Sequence, residues 1–186
     1  MLKPDLLTGR MVRLTAVSKE DLPVMARWWS DVDFLRRYDA VPAVPKSEAQ
    51  LAKRIEDAHT DSATFLFGIR LLAEGRLIGL LEFDGVMWSH GTTFTSIAIG
   101  DAADRGQGYG YEAMQLALTY AFDELNLHRV CLTVFSYNKP AIYLYEKLGF
   151  HCEGTYREHL KRDGERHDML LYGMLSREWQ KSARPD

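Results

Sequence analysis

The sequence has no apolar run long enough to cross a bilayer and no stretch in which lysine and arginine accumulate. A membrane-spanning helix needs about 20 mostly apolar residues, and residues 1–5 lack the hydrophobic core of a signal peptide. The 23 basic and 26 acidic residues give a net charge of −3. We therefore expect a cytoplasmic protein with neither a membrane nor a nucleic acid as its partner.

Cysteine is scarce, and the histidines are scattered. The two cysteines, Cys131 and Cys152, fall in separate strand-like segments, which favours free buried thiols over a disulfide or a nucleophile. The six histidines form no i, i+4 pair and have no cysteine partner at the spacing of metal ligands. No bound metal is expected.

The composition is that of one folded domain. Hydrophobic residues make up 46% of the 186 positions and charged residues 26%, and neither an internal repeat nor a long linker divides the chain. We predict a single domain over residues 1–186, with a core from about residue 7 to residue 179.

Two helices are predicted ahead of the main sheet. Each follows a capping-box pattern, in which a serine precedes an acid or a glutamine by three positions. The first helix starts after Ser18 and runs towards Ser30, and the second starts after Ser47 and ends near Asp61. A strand over residues 11–17 precedes them both.

The remaining strands are predicted from alternating and β-branched runs. They cover residues 64–72, 76–83, 93–99, 130–135, 154–160 and 166–175. The first two and the last two are joined by short glycine-containing turns, which predicts antiparallel hairpins. A helix joins the third strand to the fourth, so these two are expected to be parallel.

A glycine-rich turn at residues 104–110 separates the strand at 93–99 from an amphipathic helix. Glycines let the backbone approach a ligand, and the free N–H groups at the start of the following helix attract anions. The spacing Arg-x-x-Gly-x-Gly lacks the Lys-Ser/Thr pair of NTPase loops and the glycine spacing of dinucleotide folds. On its own, this pattern is more often an ordinary turn than a phosphate site.

A second motif follows the strand at 130–135 and reads Asn-x-x-Ala-x-x-Leu-Tyr-x-x-x-Gly-Phe over residues 138–150. With the glycine turn, in this order, it resembles the GNAT family of acetyl-CoA-dependent N-acyltransferases along nearly the whole chain. The resemblance implies an α/β fold with a mixed, mostly antiparallel central sheet flanked by helices. Its parallel pair of strands would splay apart at the cofactor site.

The resemblance implies acetyl-CoA as the cofactor and no metal. Backbone N–H groups of the turn would hold the pyrophosphate, the strand edge at 97–99 would pair with pantetheine, and Asn138 would contact the same arm. An arginine at such a turn often braces it instead of binding phosphate. The implied binding residues are Ile97, Ala98, Ile99, Arg105, Gly106, Gln107, Gly108, Tyr109, Gly110 and Asn138.

The resemblance also implies the chemistry, in which an amine attacks the thioester directly. Tyr145 matches the family tyrosine that protonates the leaving thiolate, whereas Tyr143 falls outside the motif and is expected to pack. Glu82 is the candidate general base, or a partner for a cationic substrate. The structural alternative for Tyr145 is a tyrosine that only packs in the core. The structural alternative for Glu82 is a residue that ends a strand and faces solvent.

The acceptor is expected to be a primary amine, from a protein N-terminus or a small molecule. The chain looks most like the branch that holds ribosomal-protein N-terminal and spermidine acetyltransferases, but Phe94 stands where polyamine enzymes carry an acid. Aromatic and acidic residues of the first helices and the last hairpin could bind an organic cation or serve as packing and caps. They are Trp28, Trp29, Asp31, Asp33, Tyr38, Asp39, Glu158 and His159.

Two other functions remain open at this stage. A catalytically silent domain that senses acyl-CoA, or binds a partner protein, would keep the glycine turn. An unrelated nucleotide-binding α/β module would hold a different phosphate there, and ATP but not coenzyme A would then compete for it. A homodimer is the default expectation, because an exposed sheet edge must be covered or protected.

Overall fold

The computed structural model describes residues 5–183, with side chains described for residues 5–179. Its seven strands are β1 (Val12–Thr15), β2 (Phe65–Leu71), β3 (Leu77–Met87), β4 (Thr92–Ile99), β5 (Arg129–Phe135), β6 (His151–Arg162) and β7 (Glu165–Leu175). The α-helices of this region are α1 (Leu22–Trp28), α2 (Val32–Tyr38), α3 (Glu48–Thr60), α4 (Tyr109–Thr119), α5 (Lys139–Leu148) and α6 (Ser176–Ala183). Short 3-10 turns at Lys19–Asp21 and Ala102–Asp104 precede α1 and the glycine turn, and a π-helical turn at Tyr120–Glu124 ends α4.

The strands form one sheet in the order β1-β2-β3-β4-β5-β7-β6. All neighbours are antiparallel except β4 and β5, which run parallel and pair only where residues 92–94 face residues 129–131. Beyond that point β4 pairs with β3 alone and β5 with β7 alone. The mixed sheet is as the sequence predicts, and the parallel pair splays apart as the family resemblance implies.

Helices cover both faces of the sheet. On one face α4 buries the stripe expected from its 3.6-residue period, with Met114, Ala117 and Leu118 fully inaccessible. The other face carries α1, α2 and α3, whose apolar side chains form a second cluster that includes Trp28 and Trp29. The two layers leave the separated ends of β4 and β5 between them.

The N-terminal region has three helices instead of the predicted two. Both capping boxes are present, at Ser18 and at Ser47, but the first helix stops at Trp28. A new helix, α2, starts behind Asp31, whose Oδ1 accepts a hydrogen bond of 2.9 Å from the N–H of Asp33. A local cap therefore divides what the apolar pattern presents as one helix.

The closing hairpin of β6 and β7 turns at Asp163 and Gly164, which both have positive φ, as a two-residue hairpin requires. Both cysteines are free, but only Cys131 is buried, and Cys152 is exposed, contrary to expectation. Within residues 5–183 no helix has the length and apolar character to cross a membrane.

Candidate active site

A cavity of about 620 Å³ lies where β4 and β5 separate. Nine of the twelve residues predicted for the site line it: Ile97, Ala98, Ile99, Arg105, Gly106, Gly108, Gly110, Asn138 and Tyr145. Gln107, Tyr109 and Glu82 do not line it. The two sequence motifs, at residues 104–110 and 138–150, therefore meet around one space.

The glycine turn presents unused backbone N–H groups to this cavity. Gly106 and Gly108 have φ of 75° and 89°, a left-handed conformation that other residues adopt only at a cost. The first backbone bond of α4 runs from Glu112 N to Gly108 O, 3.1 Å, so the N–H groups of residues 109–111 have no partner within the helix. The turn and the helix dipole together suit a bound phosphate.

The side chain of Arg105 braces the turn. Its Nε donates to Ile99 O at 3.1 Å, and its Nη2 donates to Gly100 O at 2.7 Å. The guanidinium thus caps carbonyl groups at the end of β4, which is the bracing role that the sequence left open for this residue.

A second brace, Asp104 with Arg76, was not found from the sequence. The carboxylate accepts bonds of 2.7 and 2.9 Å from the two terminal nitrogens of Arg76 and is 9% exposed. The hydrogen bonds from Arg76 lower the pKa of Asp104 below its ordinary value. The pair fastens the start of the turn to the β2–β3 hairpin.

Glu112 fixes the first turn of α4 to the start of β1 and the two residues ahead of it. Its carboxylate accepts three backbone bonds, from the N–H groups of Arg10, Met11 and Val12, each 2.8 Å long. An acid in the first turn of a helix is a weak sequence signal for such a clamp, and its partners are about 100 residues away.

The edge of β4 leaves backbone groups free towards the cavity. Gly100 N donates to Ile78 O at 2.9 Å, so even-numbered residues of β4 bond to β3 and odd-numbered residues face the other way. The polar backbone groups of Ile97 and the N–H of Ile99 therefore face the gap unpaired, whereas Ile99 O already accepts a hydrogen bond from Arg105. Those of Ala98 pair with Leu80, and this residue contributes only its surface.

Tyr145 reaches the cavity from α5. It is 5% exposed and packs its ring edge-on against Phe150, with 5.8 Å between centroids. Burial raises the pKa of Tyr145 to about 12, so the phenol is protonated at neutral pH. Its hydroxyl has no hydrogen-bond partner among residues 5–179. Asn138 caps the same helix, accepting from Ala141 N at 3.4 Å.

Glu82 lies beside the cavity in an ion pair. Its Oε2 is 2.5 Å from Arg54 Nη2, and the same nitrogen donates to the hydroxyl of Tyr38 at 2.5 Å. Tyr38 lines the cavity, while Arg54 and Glu82 stand behind it. Across the described residues no group of three His, Cys, Asp or Glu side chains could hold a metal ion.

The family model for the acetyltransferase (GNAT) domain matches residues 11–151, which include every part of this cavity. The chain belongs to the GNAT acetyltransferase family. It is accordingly an acetyl-CoA-dependent N-acetyltransferase, a transferase that moves an acetyl group to an amine.

Relatives of known sequence and structure agree with this membership. N-acetyltransferase p20 of Bacillus licheniformis is 28% identical over 175 residues, which cover 94% of this chain and 97% of that one. The ribosomal protein uS5 alanine N-acetyltransferase of Escherichia coli is 28% identical over 67% of this chain and 64% of its own length. The spermidine N-acetyltransferase of Vibrio cholerae, solved with CoA and spermine, superposes with a TM-score of 0.83 at 25% identity, covering 91% of this chain and 98% of that one.

Proposed function

We propose that this GNAT enzyme acetylates a primary amine by direct attack on acetyl-CoA held between β4 and the glycine turn. The observation that carries the proposal is the donor set of one cavity. Free N–H groups of the turn and of the α4 N-terminus face the same space as the unpaired edge of β4. An anion with an extended amide arm fits that combination, and the solved relative from Vibrio cholerae was crystallised with CoA.

Each proposed cofactor residue has a distinct task. The backbone N–H groups of residues 106–110 (Gly106, Gln107, Gly108, Tyr109 and Gly110) hold the pyrophosphate. The side chain of Arg105 keeps the turn in its conformation. Ile97 and Ile99 pair with the pantetheine amides, and Ala98 and Asn138 supply surface for the same arm. These assignments extend the predictions from sequence and rest on the free backbone groups described above.

Lys147 is a further candidate for the phosphate groups. Its Nζ lies 4.7 Å from the ring centroid of Tyr111, and both residues line the cavity. Lys147 lies in the last turn of α5, and no carboxylate of residues 5–179 forms an ion pair with its ammonium. A cation and an aromatic face at the exposed side of α4 suit the ribose phosphate and base of a nucleotide.

The proposed chemistry needs one proton donor and one proton acceptor. Acetyl-CoA supplies a thioester whose carbonyl carbon bonds to the amine nitrogen and whose sulfur leaves as a thiolate. Tyr145 donates its phenolic proton to that sulfur, which suits a hydroxyl that is buried, protonated and free of internal partners. A backbone N–H near Ile99 stabilises the developing oxyanion.

Glu82 is proposed to accept the proton of the amine through water. Only its Oε2 is used by Arg54, and Oε1 has no hydrogen-bond partner in the described part of the chain. A water held by Oε1 is therefore the path by which this carboxylate could serve as base.

The acceptor is proposed to be a protein N-terminus or a small-molecule amine. Both kinds occur among the relatives, as alanine of a ribosomal protein and as spermidine. A single domain, a cytoplasmic location and a homodimer also stay proposals. The Vibrio cholerae relative has been described as a dodecamer.

The test combines thiol release from acetyl-CoA with calorimetry of CoA binding, on the full chain and on two glycine variants. Gly108→Ala places a methyl group at a φ of 89°, whereas the nearest atom, Met11 Cε, stays at an ordinary 3.6 Å. Backbone strain alone should therefore distort the cradle and weaken CoA binding by about 5- to 30-fold, since left-handed strain costs about 1–2 kcal/mol. Gly164→Ala, at a φ of 85° in the β6–β7 turn, carries the same strain at a residue that does not line the cavity.

If both variants lost CoA affinity equally, or if neither lost any, the assignment of the glycine turn as the CoA-binding site would be wrong. The acceptor panel contains peptides with small N-terminal residues, spermidine, aminoglycosides and amino acids. Turnover with one class identifies the reaction and the acceptor together. Tight CoA binding without turnover of any amine would favour the silent sensor.

A further inference from the structure

Arg54 occupies a box built from one carboxylate and two aromatic rings. Its guanidinium carbon lies 5.4 Å from the ring centroids of both Trp29 and Tyr38. Its Nη2 contacts Glu82 Oε2 and the Tyr38 hydroxyl, each at 2.5 Å. A carboxylate with aromatic faces on two sides is the arrangement that binds organic cations in proteins.

The box adjoins the acceptor side of the cavity. Tyr38 belongs to the cavity wall and stacks on Phe34, which also lines it, with 5.5 Å between centroids. Glu82 faces Ser96 in the β3–β4 register, two residues before Ala98. A cation bound in this box would therefore stand close to the point where β4 and β5 separate.

The guanidinium of Arg54 is largely buried in this box. The side chains of Arg54 and Glu82 are only 23% and 16% exposed. Burial by itself would lower the pKa of Arg54, but Tyr38 and Glu82 together raise it above its ordinary value. The guanidinium is thus charged, and it neutralises the one carboxylate that the wall offers behind Tyr38.

The other charges near this wall do not replace that carboxylate. Arg37 lines the cavity beside Tyr38 and pairs with Asp33, which also lies 3.5 Å from Arg105. Asp104 is taken by Arg76. The three acids Asp33, Glu82 and Asp104 therefore each have an arginine partner, and a second ammonium group on a substrate would have to compete with that arginine for any of them.

We propose that Arg54 is a specificity-determining residue, an internal cation that fills the box of Trp29, Tyr38 and Glu82 and bars a second positive charge of the acceptor from it. The enzyme then favours an amine with neutral neighbours, such as the N-terminus of a peptide, over a polyamine. This inference rests on the proposed function for its substrates, but the binding box is defined by the residues alone.

The experiment measures spermidine binding by calorimetry to the CoA-saturated full chain. Arg54→Met keeps an apolar stem of similar length and leaves Glu82 without its partner, so spermidine should bind at least 10-fold more tightly than to the wild type. The double variant Arg54→Met with Glu82→Gln also lacks the guanidinium, but it has no carboxylate to bind a cation. It should show no such gain in spermidine affinity. Arg37→Met removes a cavity arginine outside the box and should change spermidine affinity less than threefold.

Turnover on the wild type gives a second measurement that needs no variant. The kcat/KM for an alanine-terminated peptide amide should exceed that for spermidine by at least 10-fold. Equal or better use of spermidine would overturn the proposal, as would equal spermidine affinity of the folded single and double variants, checked by circular dichroism. If no amine is turned over, the proposed function fails, whereas the calorimetric comparison still decides the role of Arg54.

Discussion

Replacing Tyr145 with phenylalanine separates catalysis from folding in this protein. The variant keeps the ring that packs on Phe150 and removes only the hydroxyl. We expect kcat to fall on the order of 100-fold, the lower end of what a general acid contributes. The dissociation constant for CoA should stay within about twofold, because the turn and the β4 edge are untouched.

The hydroxyl of Tyr145 makes no hydrogen bond within the described residues, so its removal breaks none. The free energy of unfolding at pH 7 should therefore change by less than about 1 kcal/mol, the usual net worth of one hydrogen bond. A catalytic loss without a loss of stability is the signature of a chemical role.

The pH dependence follows from the pKa of Tyr145, which burial raises from 10.0 to about 12. A raised folded-state pKa contributes stability below pH 10 that is lost as the pH rises towards 12. The wild type should lose stability over this window, and Tyr145→Phe should lose less. Tyr172, whose pKa burial and Glu146 also raise to about 12, still titrates in the variant, so the fall is reduced and not abolished.

Steady-state kinetics by thiol release, with denaturant unfolding at pH 7, 10 and 11.5, checks these expectations. Tyr143→Phe is the matched control. Tyr143 is two positions away on α5 and, contrary to the expectation that it packs, it is 67% exposed and lines the rim of the same cavity. Because the mechanism gives its hydroxyl no task, the kcat of this variant should stay within about twofold. A Tyr145→Phe enzyme with more than a third of the wild-type kcat would remove this residue from the mechanism. A large fall in both variants would point to packing of α5.

Three further predictions concern the supports of the cradle. Asp104→Asn should lower Tm by roughly 5 °C at pH 7. Because Arg76 holds the pKa of Asp104 below its ordinary value, the difference from the wild type should be full above that ordinary value and should shrink in thermal scans as the pH falls through the lowered pKa. Glu112→Ala should leave three N–H groups without their acceptor and weaken CoA binding about threefold or more by calorimetry, whereas Glu112→Gln should retain part of it. Lys147→Met should weaken CoA binding several-fold at low salt and by less at 0.5 M salt, since a surface charge is screened.

The fold was predictable where a local pattern decides the structure. The hairpin turns, the buried stripe of α4 and the crossover between β4 and β5 all follow from periodicity and turn residues within one segment. The separate helix α2 was missed because its seven residues form only two turns, too few for a periodic pattern. Its start depends on a single side chain, Asp31.

In the candidate site, too, local features could be predicted from the sequence and long-range contacts could not. The turn glycines and the helix that follows them are adjacent in sequence, so their arrangement could be predicted. The braces could not, since Asp104 lies 28 residues from Arg76 and Glu112 about 100 from its partners. The role of Arg105 needed the structure to decide, because a guanidinium beside a glycine turn can face either a phosphate or the carbonyls of Ile99 and Gly100.

Glu82 shows why the acceptor is harder to predict than the cofactor. From sequence its face was undetermined, and the β3–β4 register sets it opposite Ser96, on the face covered by α3. Arg54 then reaches it from α3, which contains no part of the two family motifs. If the acceptor binds where we propose, the charge presented to its amine is therefore determined by packing between elements outside the proposed cofactor site. Relatives can share the cofactor cavity and still select different amines, since a change at Arg54 would alter the acceptor wall and leave the glycine turn as it is.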